Sequence, residues 1–142
     1  MINHVTKGVR ISVKTIYDGS YFKNYNLHFA FNYIIKITNQ SKSTVQLKTR
    51  HWRIFDSLSS DVIIDGEGVI GEKPLIKPGD SYEYSSGCLI TSPVGAMRGF
   101  YYMIDVNNGK KFRAYIPTFK LTAPQALNCL LYTSPSPRDV EE

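Results

Sequence analysis

Hydrophobic and polar positions alternate with a period of two along most of the chain, the spacing of half-buried β-strands. Val9, Ile11 and Val13 alternate with Arg10, Ser12 and Lys14. Leu27–Thr38 carries the strongest signal: Phe29, Phe31, Tyr33, Ile35 and Ile37 share one face, with His28, Ala30, Asn32, Ile34 and Lys36 opposite. Thr44–Phe55 is a long strand whose apolar positions change parity, Val45 and Leu47 first, then Trp52 and Ile54. That change predicts a bulge or a strand that crosses between sheets. Asp61–Asp65 is a short strand, and Leu75–Tyr84 reads as strand, Pro78-Gly79 turn, strand, with an apolar continuation over Cys88–Ile90. Met97–Val106 and Lys111–Phe119 flank Asn107-Asn108-Gly109, a strong hairpin signal. Phe112, Ala114 and Ile116 share one face of the second of these. Asp18–Asn26, rich in Gly, Ser, Asn and Tyr, reads as a loop, and the residues around His4 as a frayed terminus.

Seven or eight strands without a convincing helix predict an all-β fold, an immunoglobulin-like β-sandwich. Leu75, the Pro-Gly turn and Tyr84 fit the corner of such a sandwich, where a tyrosine hydroxyl caps nearby backbone. Composition agrees: 42% hydrophobic and 13% aromatic residues in 142 is ample for one globular domain and too much for disorder. No apolar run approaches the length of a membrane span, and MINHVTKGVR lacks the apolar core of a signal peptide. The expectation is no membrane insertion and a cytoplasmic location.

The chemistry to weigh lies first in Asp65–Gly87. It holds a Gly-x-Gly-x-x-Gly string, Gly66, Gly68 and Gly71. A dinucleotide loop needs a helix after the glycines, so that its N-terminus meets the pyrophosphate. Pro74 and Pro78 break any such helix. The plainer reading is backbone turns with positive φ. An alternative keeps a ligand role: Gly66, Gly68 and Gly71 let backbone amides converge into an anion nest, with Lys73 close in sequence, binding nucleotide or polyphosphate weakly.

The second candidate is an interaction surface, Arg50, Trp52 and Arg53, since Trp with Arg is typical of interface hot spots; alternation puts Arg50 and Trp52 on one face of the strand and His51 and Arg53 on the other. Against it stands Trp52 as the core aromatic of the sandwich. No catalytic constellation is legible. Ser85-Ser86-Gly87 is no nucleophile elbow, and Glu67 and Glu83 lack a partner for acid–base work. Cys88 reads as a small core residue. His4, His28 and His51 are not at metal-ligand spacing. A non-enzyme is expected, with no cofactor and no metal site.

These residues also carry a resemblance. Gly-Glu-Gly-Val-Ile-Gly-x-x-Pro-x-Ile-x-Pro-Gly-x-x-Tyr-x-Tyr-x-Ser-Gly, from Gly66 to Gly87, resembles the signature of the ApaG family. Arg50-His51-Trp52 precedes it; Ser92-Pro93-x-Gly95-x-Met97-x-Gly99-x-Tyr101 and Ile116-Pro117-x-Phe119-x-Leu121 follow. The resemblance spans roughly Val9 to Asn128; Ser92 departs from the family's usual Thr. It implies a fibronectin type III-like sandwich and an association with Co²⁺/Mg²⁺ efflux or resistance. Related domains occur fused in F-box proteins and in a DNA polymerase-associated protein. The function implied is a soluble, non-enzymatic binding or adaptor module whose partner is another protein.

Cys129–Asp139, CLLYTSPSPRD, does not belong with the rest. All eleven residues fit, in one frame, a translation of the transposase adapter used in sequencing libraries. Residues 129–142 are therefore expected to be a disordered, non-native tail after a domain over 1–128. Setting them aside removes one base and three acids, raising the net charge from +5 to +7, and leaves Cys88 without a disulfide partner. Net charge of this size is weak support for nucleic-acid binding, which is not expected.

Overall fold

The computed structural model describes residues 2–124. The tail assigned to a sequencing adapter, Cys129–Glu142, lies outside the described residues. Nine strands run through the described chain: β1 (Ile2–Thr6), β2 (Val9–Lys23), β3 (Asn26–Asn39), β4 (Val45–Asp56), β5 (Val62–Glu67), β6 (Leu75–Ile76), β7 (Ser81–Ile90), β8 (Val94–Asp105) and β9 (Lys111–Thr122). They form two antiparallel sheets. One has the order β1-β2-β3-β7; the other has the order β5-β4-β8-β9, with β6 beside β4 beyond the end of β5. Val9, Ile11 and Val13 of β2 and Phe31, Tyr33, Ile35 and Ile37 of β3 are buried against Leu47, Trp52, Met97, Tyr101, Met103, Ile116 and Phe119 of the other sheet. This is the all-β sandwich that the alternation predicts. The alternating faces of β3 stand as read, Ala30 excepted, which is buried as well.

Three expectations about the strands need correction. The N-terminal residues form β1, in register with β2 from Ile2↔Val13 to Thr6↔Val9. Lys7 and Gly8 both take positive φ, the backbone of a tight two-residue hairpin turn whose twist matches the strands. The polar stretch Asp18–Asn26 is not a loop. It is the far end of the β2–β3 hairpin, with a bulge between Tyr17 and Ser20 and a turn at Asn24-Tyr25, both at positive φ. Gly, Ser and Asn signal turns in general, and here they serve a bulge and a hairpin tip inside continuing strands. With β1 and the two-residue β6 added, the described strands number nine rather than seven or eight.

The parity change along β4 is a bulge. Leu47 pairs with Met103 and Thr49 with Tyr102, so Lys48 is the extra residue. It brings Val45 and Leu47 before it, and Trp52 and Ile54 after it, onto the same buried face. A second irregularity between Met97 and Gly99 lets Ile116 and Phe119 of β9 both point inward across Pro117. Proline has no N–H for the ladder and is accommodated at such a break.

The chain changes sheets at Pro78-Gly79, between β6 on one sheet and β7 on the other. Gly79 has φ +85°, and the Asp80 N–H donates to the Lys77 carbonyl at 2.9 Å, closing the turn. Fully buried Asn39 holds this corner. Its Nδ2 donates to the carbonyls of Ser43 (2.7 Å) and Ile76 (2.8 Å), and its Oδ1 accepts from Ser41 N and Oγ at 2.9 and 2.6 Å. Tyr84 does not cap backbone as expected: its hydroxyl is paired with that of Tyr101 across the core.

Candidate functional site

The glycine string folds as a tight hairpin. Val69 and Glu72 exchange backbone hydrogen bonds at 2.8 and 2.9 Å around Ile70 (φ 48°) and Gly71 (φ 76°). Gly68 has φ +61°, and a Cβ there would lie 2.1 Å from the Glu72 carbonyl oxygen, so only glycine fits. The Gly68 N–H donates to the Lys48 carbonyl at 2.8 Å. The amides of Gly68, Val69 and Glu72 are thus spent on backbone carbonyls, and an incoming phosphate does not find them converging. Lys73 is paired with Glu67 at 2.7 Å, which holds that carboxyl below its ordinary range.

The hairpin instead offers carbonyls, and Arg50 takes them. Its Nη1 donates to Glu67 O (3.0 Å) and Gly68 O (2.8 Å). Gly66 makes room: a Cβ there would sit 2.5 Å from Arg50 Nη2. Two of the three glycines therefore shape a seat for a half-buried guanidinium.

Arg50, Trp52 and Arg53 do not form one surface. Trp52 is 3% exposed and packs on Tyr33, Phe119 and Tyr101 with ring centroids 5.4, 6.0 and 6.4 Å away. It is the core aromatic, because the β4 bulge turns it inward. Arg53 lies on the opposite face, 3.7 Å from Asp61.

Arg50 and Trp52 instead line a cleft of about 590 Å³ between the sheets, flanked by the edge strands β5 and β7. Tyr33, Tyr84, Cys88 and Met97 form its inner wall, and Ile64, Ile70 and Leu89 its exposed lips. Burial pushes the Tyr33 hydroxyl up from 10.0, opposed by a hydrogen bond with Ser86 and by the Arg50 charge. Burial raises Tyr84 and Tyr101 further, so all three hydroxyls stay protonated at neutral pH. Cys88, half-buried, is pushed up to about 11 by burial, which keeps it a thiol. At the other end of the cleft Asp56 is buried and saturated. Oδ2 accepts from Thr91 N (2.6 Å) and Thr91 Oγ1 (2.8 Å), and Oδ1 accepts from Leu58 N (3.1 Å). Burial pushes its carboxyl up, but these donors outweigh burial and hold it below 3.8.

A second feature lies on the outer face of the same sheet. Register places Asp65, His51, Phe100 and Tyr115 in one row across β5, β4, β8 and β9, with Glu67, Thr49, Tyr102 and Arg113 in the next. His51 Nδ1 meets Asp65 Oδ1 at 2.5 Å, and its ring stacks on Phe100 at 4.8 Å. The Arg113 guanidinium sits 4.5 Å from the Phe100 ring centre and 5.2 Å from that of Tyr102, and donates to the Tyr102 hydroxyl at 3.1 Å. Tyr102 and Tyr115 are 39% and 44% exposed. Sequence reasoning missed this cluster. The signal was present: Phe100 and Tyr102 share parity with Arg98, opposite the core parity of Tyr101 and Met103, and Arg113 and Tyr115 lie opposite Ala114 and Ile116.

Fold and site together define a small antiparallel β-sandwich with a glycine hairpin seated on an inner arginine. Comparison with known proteins gives the family. The ApaG domain model matches residues 19–105. The Vibrio cholerae serotype O1 protein ApaG is 42% identical over 120 residues, covering 84% of this chain and 94% of that one. Its Shewanella halifaxensis counterpart is 40% identical over 127 residues, covering 89% and 100%. Among solved structures, a structural-genomics target superimposes with a TM-score of 0.78 at 36% identity, over 82% of this chain and 88% of that one. An ApaA protein from Bordetella pertussis gives 0.72 at 33%, over 82% and 94%. The chain belongs to the ApaG family.

Proposed function

We propose that the chain is a non-enzymatic adaptor that docks another protein on the outer face of the β5-β4-β8-β9 sheet. Its part in Co²⁺/Mg²⁺ efflux or resistance, which the resemblance implies, then runs through that partner, from the cytoplasm. The observation that carries this reading is Arg113 stacked over Phe100 and Tyr102 beside exposed Tyr115. Arginine and aromatic side chains dominate interface hot spots. Here they stand on a rigid sheet, so little side-chain entropy is lost on docking. Ile63, 53% exposed, and Phe55, 49% exposed, extend the apolar area.

Co²⁺ tolerance tests it. Cells lacking the gene should regain tolerance with the wild-type chain and not with the double variant Arg113→Ala, Tyr115→Ala. Both sites are exposed, so the variant should melt within a few degrees of wild type. Full restoration by a folded double variant would remove the outer face from the function.

A further inference from the structure

We propose that the inter-sheet cleft binds a small carboxylate carried on an aromatic or branched aliphatic body, with Arg50 as its anion partner. The site is separate from the outer face and does not depend on the adaptor reading. It rests first on the charge balance of Arg50. Its hydrogen bonds run through Nη1 to two carbonyls, Glu67 O and Gly68 O. Among the described residues the ion pairs are His51–Asp65, Arg53–Asp61 and Lys73–Glu67, and Arg50 is in none of them. A half-buried cation held by neutral carbonyls leaves room for an anion to gain a charge-assisted, forked contact.

The cleft supplies the rest of the recognition. Its volume of about 590 Å³ falls in the range of small-ligand sites. Tyr33, Trp52, Tyr84 and Met97 offer an aromatic and thioether wall for an apolar body. The Tyr33 and Tyr84 hydroxyls lie within the field of the Arg50 charge and remain protonated. Asp56, the carboxylate that also lines the cleft, is six residues along the same strand, about 20 Å away. Its oxygens are already taken by Thr91 and Leu58. It therefore neither pairs with Arg50 nor sits where the ligand's anion would.

The test is an NMR amide titration of the full chain with 3-phenylpropionate, with 3-phenylpropanamide as neutral control and the tripeptide Gly-Gly-Phe as a chain terminus. The acid should give saturable shifts over Arg50, Gly66–Ile70 and Ser85–Cys88, with a Kd of about a millimolar for so small a ligand. The amide should bind at least ~10-fold more weakly, since it forgoes the charge-assisted contact. Arg50→Gln should weaken the acid by a similar factor and leave the amide unchanged. Gly66→Ala, which keeps the charge but fills the seat of the guanidinium, should weaken the acid in the same direction. The wild-type comparison of acid with amide needs no variant to fold. No saturation by about 20 mM, equal affinity for acid and amide, or shifts confined to Phe100 and Tyr115 would overturn the proposal. Tighter binding of the tripeptide by about tenfold or more would also overturn it, by making the occupant a protein C-terminus.

Discussion

Asp56 ties the β4–β5 turn to the turn after β7 through one carboxylate. Its folded-state pKa is depressed, so its contribution to stability is fully present above the unfolded value, near 4, and is lost as pH falls through the folded value. The melting temperature should drop on acidification below about pH 4, and Asp56→Asn should flatten that part of the acid profile. The variant should also cost roughly 1–3 kcal/mol at neutral pH, where thermal or urea melts read it directly. Trp52→Ala should cost more, about 3–5 kcal/mol, because it empties a site walled by Tyr33, Phe119 and Tyr101. A Trp52→Ala chain that melts normally would contradict its burial. The buried hydroxyls of Tyr84 and Tyr101 satisfy each other. Either Phe variant alone leaves an orphan, so the double variant should cost less than the two singles added, by about 0.5–1.5 kcal/mol. At this scale the sequence was half legible. Trp52 could be weighed as core or surface, but its side was decided by Lys48, the bulge residue, whose position alternation alone does not fix.

The glycine hairpin between β5 and β6, closed by the Val69–Glu72 bridge, shows how one motif can present opposite chemistry. A glycine string suggests amides converging on an anion. In the fold the amides of Val69 and Glu72 close the hairpin, that of Gly68 ties it to the Lys48 carbonyl, and the carbonyls of Glu67 and Gly68 face a cation. ATP or GTP titrated at physiological salt should therefore give no saturable shifts over Asp65–Lys77 below about millimolar ligand. Gly68→Ala should destabilise by roughly 1–3 kcal/mol, from positive φ and the clash with the Glu72 carbonyl, and should release Arg50. The need for glycine was readable from Gly66, Gly68 and Gly71, since no helix can follow them. That Arg50 fills the seat was not readable, because it depends on the β4–β5 register of Arg50 with Gly66. The strands themselves were legible where one face is apolar, as in β3. They were not where polar residues extend a hairpin beyond the core, as at the tip of β2 and β3, or where both faces are exposed, as in β1 apart from Thr6.

Across the molecule the two sheets give two different surfaces of one strand. The inner face of β4 carries Arg50 and Trp52 into the cleft, and its outer face carries His51 within the aromatic row and Arg53 in the next row, between Ile63 and Arg98. β1 and β2 pack against β9 and close one side of the sandwich, leaving β5 and β7 to flank the open one. Among the described residues no helix is long and apolar enough to cross a membrane. The outer face of the β5-β4-β8-β9 sheet is where we propose that a protein partner docks. Site-specific photo-crosslinking in cells tests it most directly, with the photoreactive residue replacing Tyr115 or, as control, exposed Glu83 on the other sheet. Position 115 should give a discrete adduct, lost on adding Arg113→Ala, and position 83 none. Equal adducts at both positions, or an adduct at 83 alone, would contradict it.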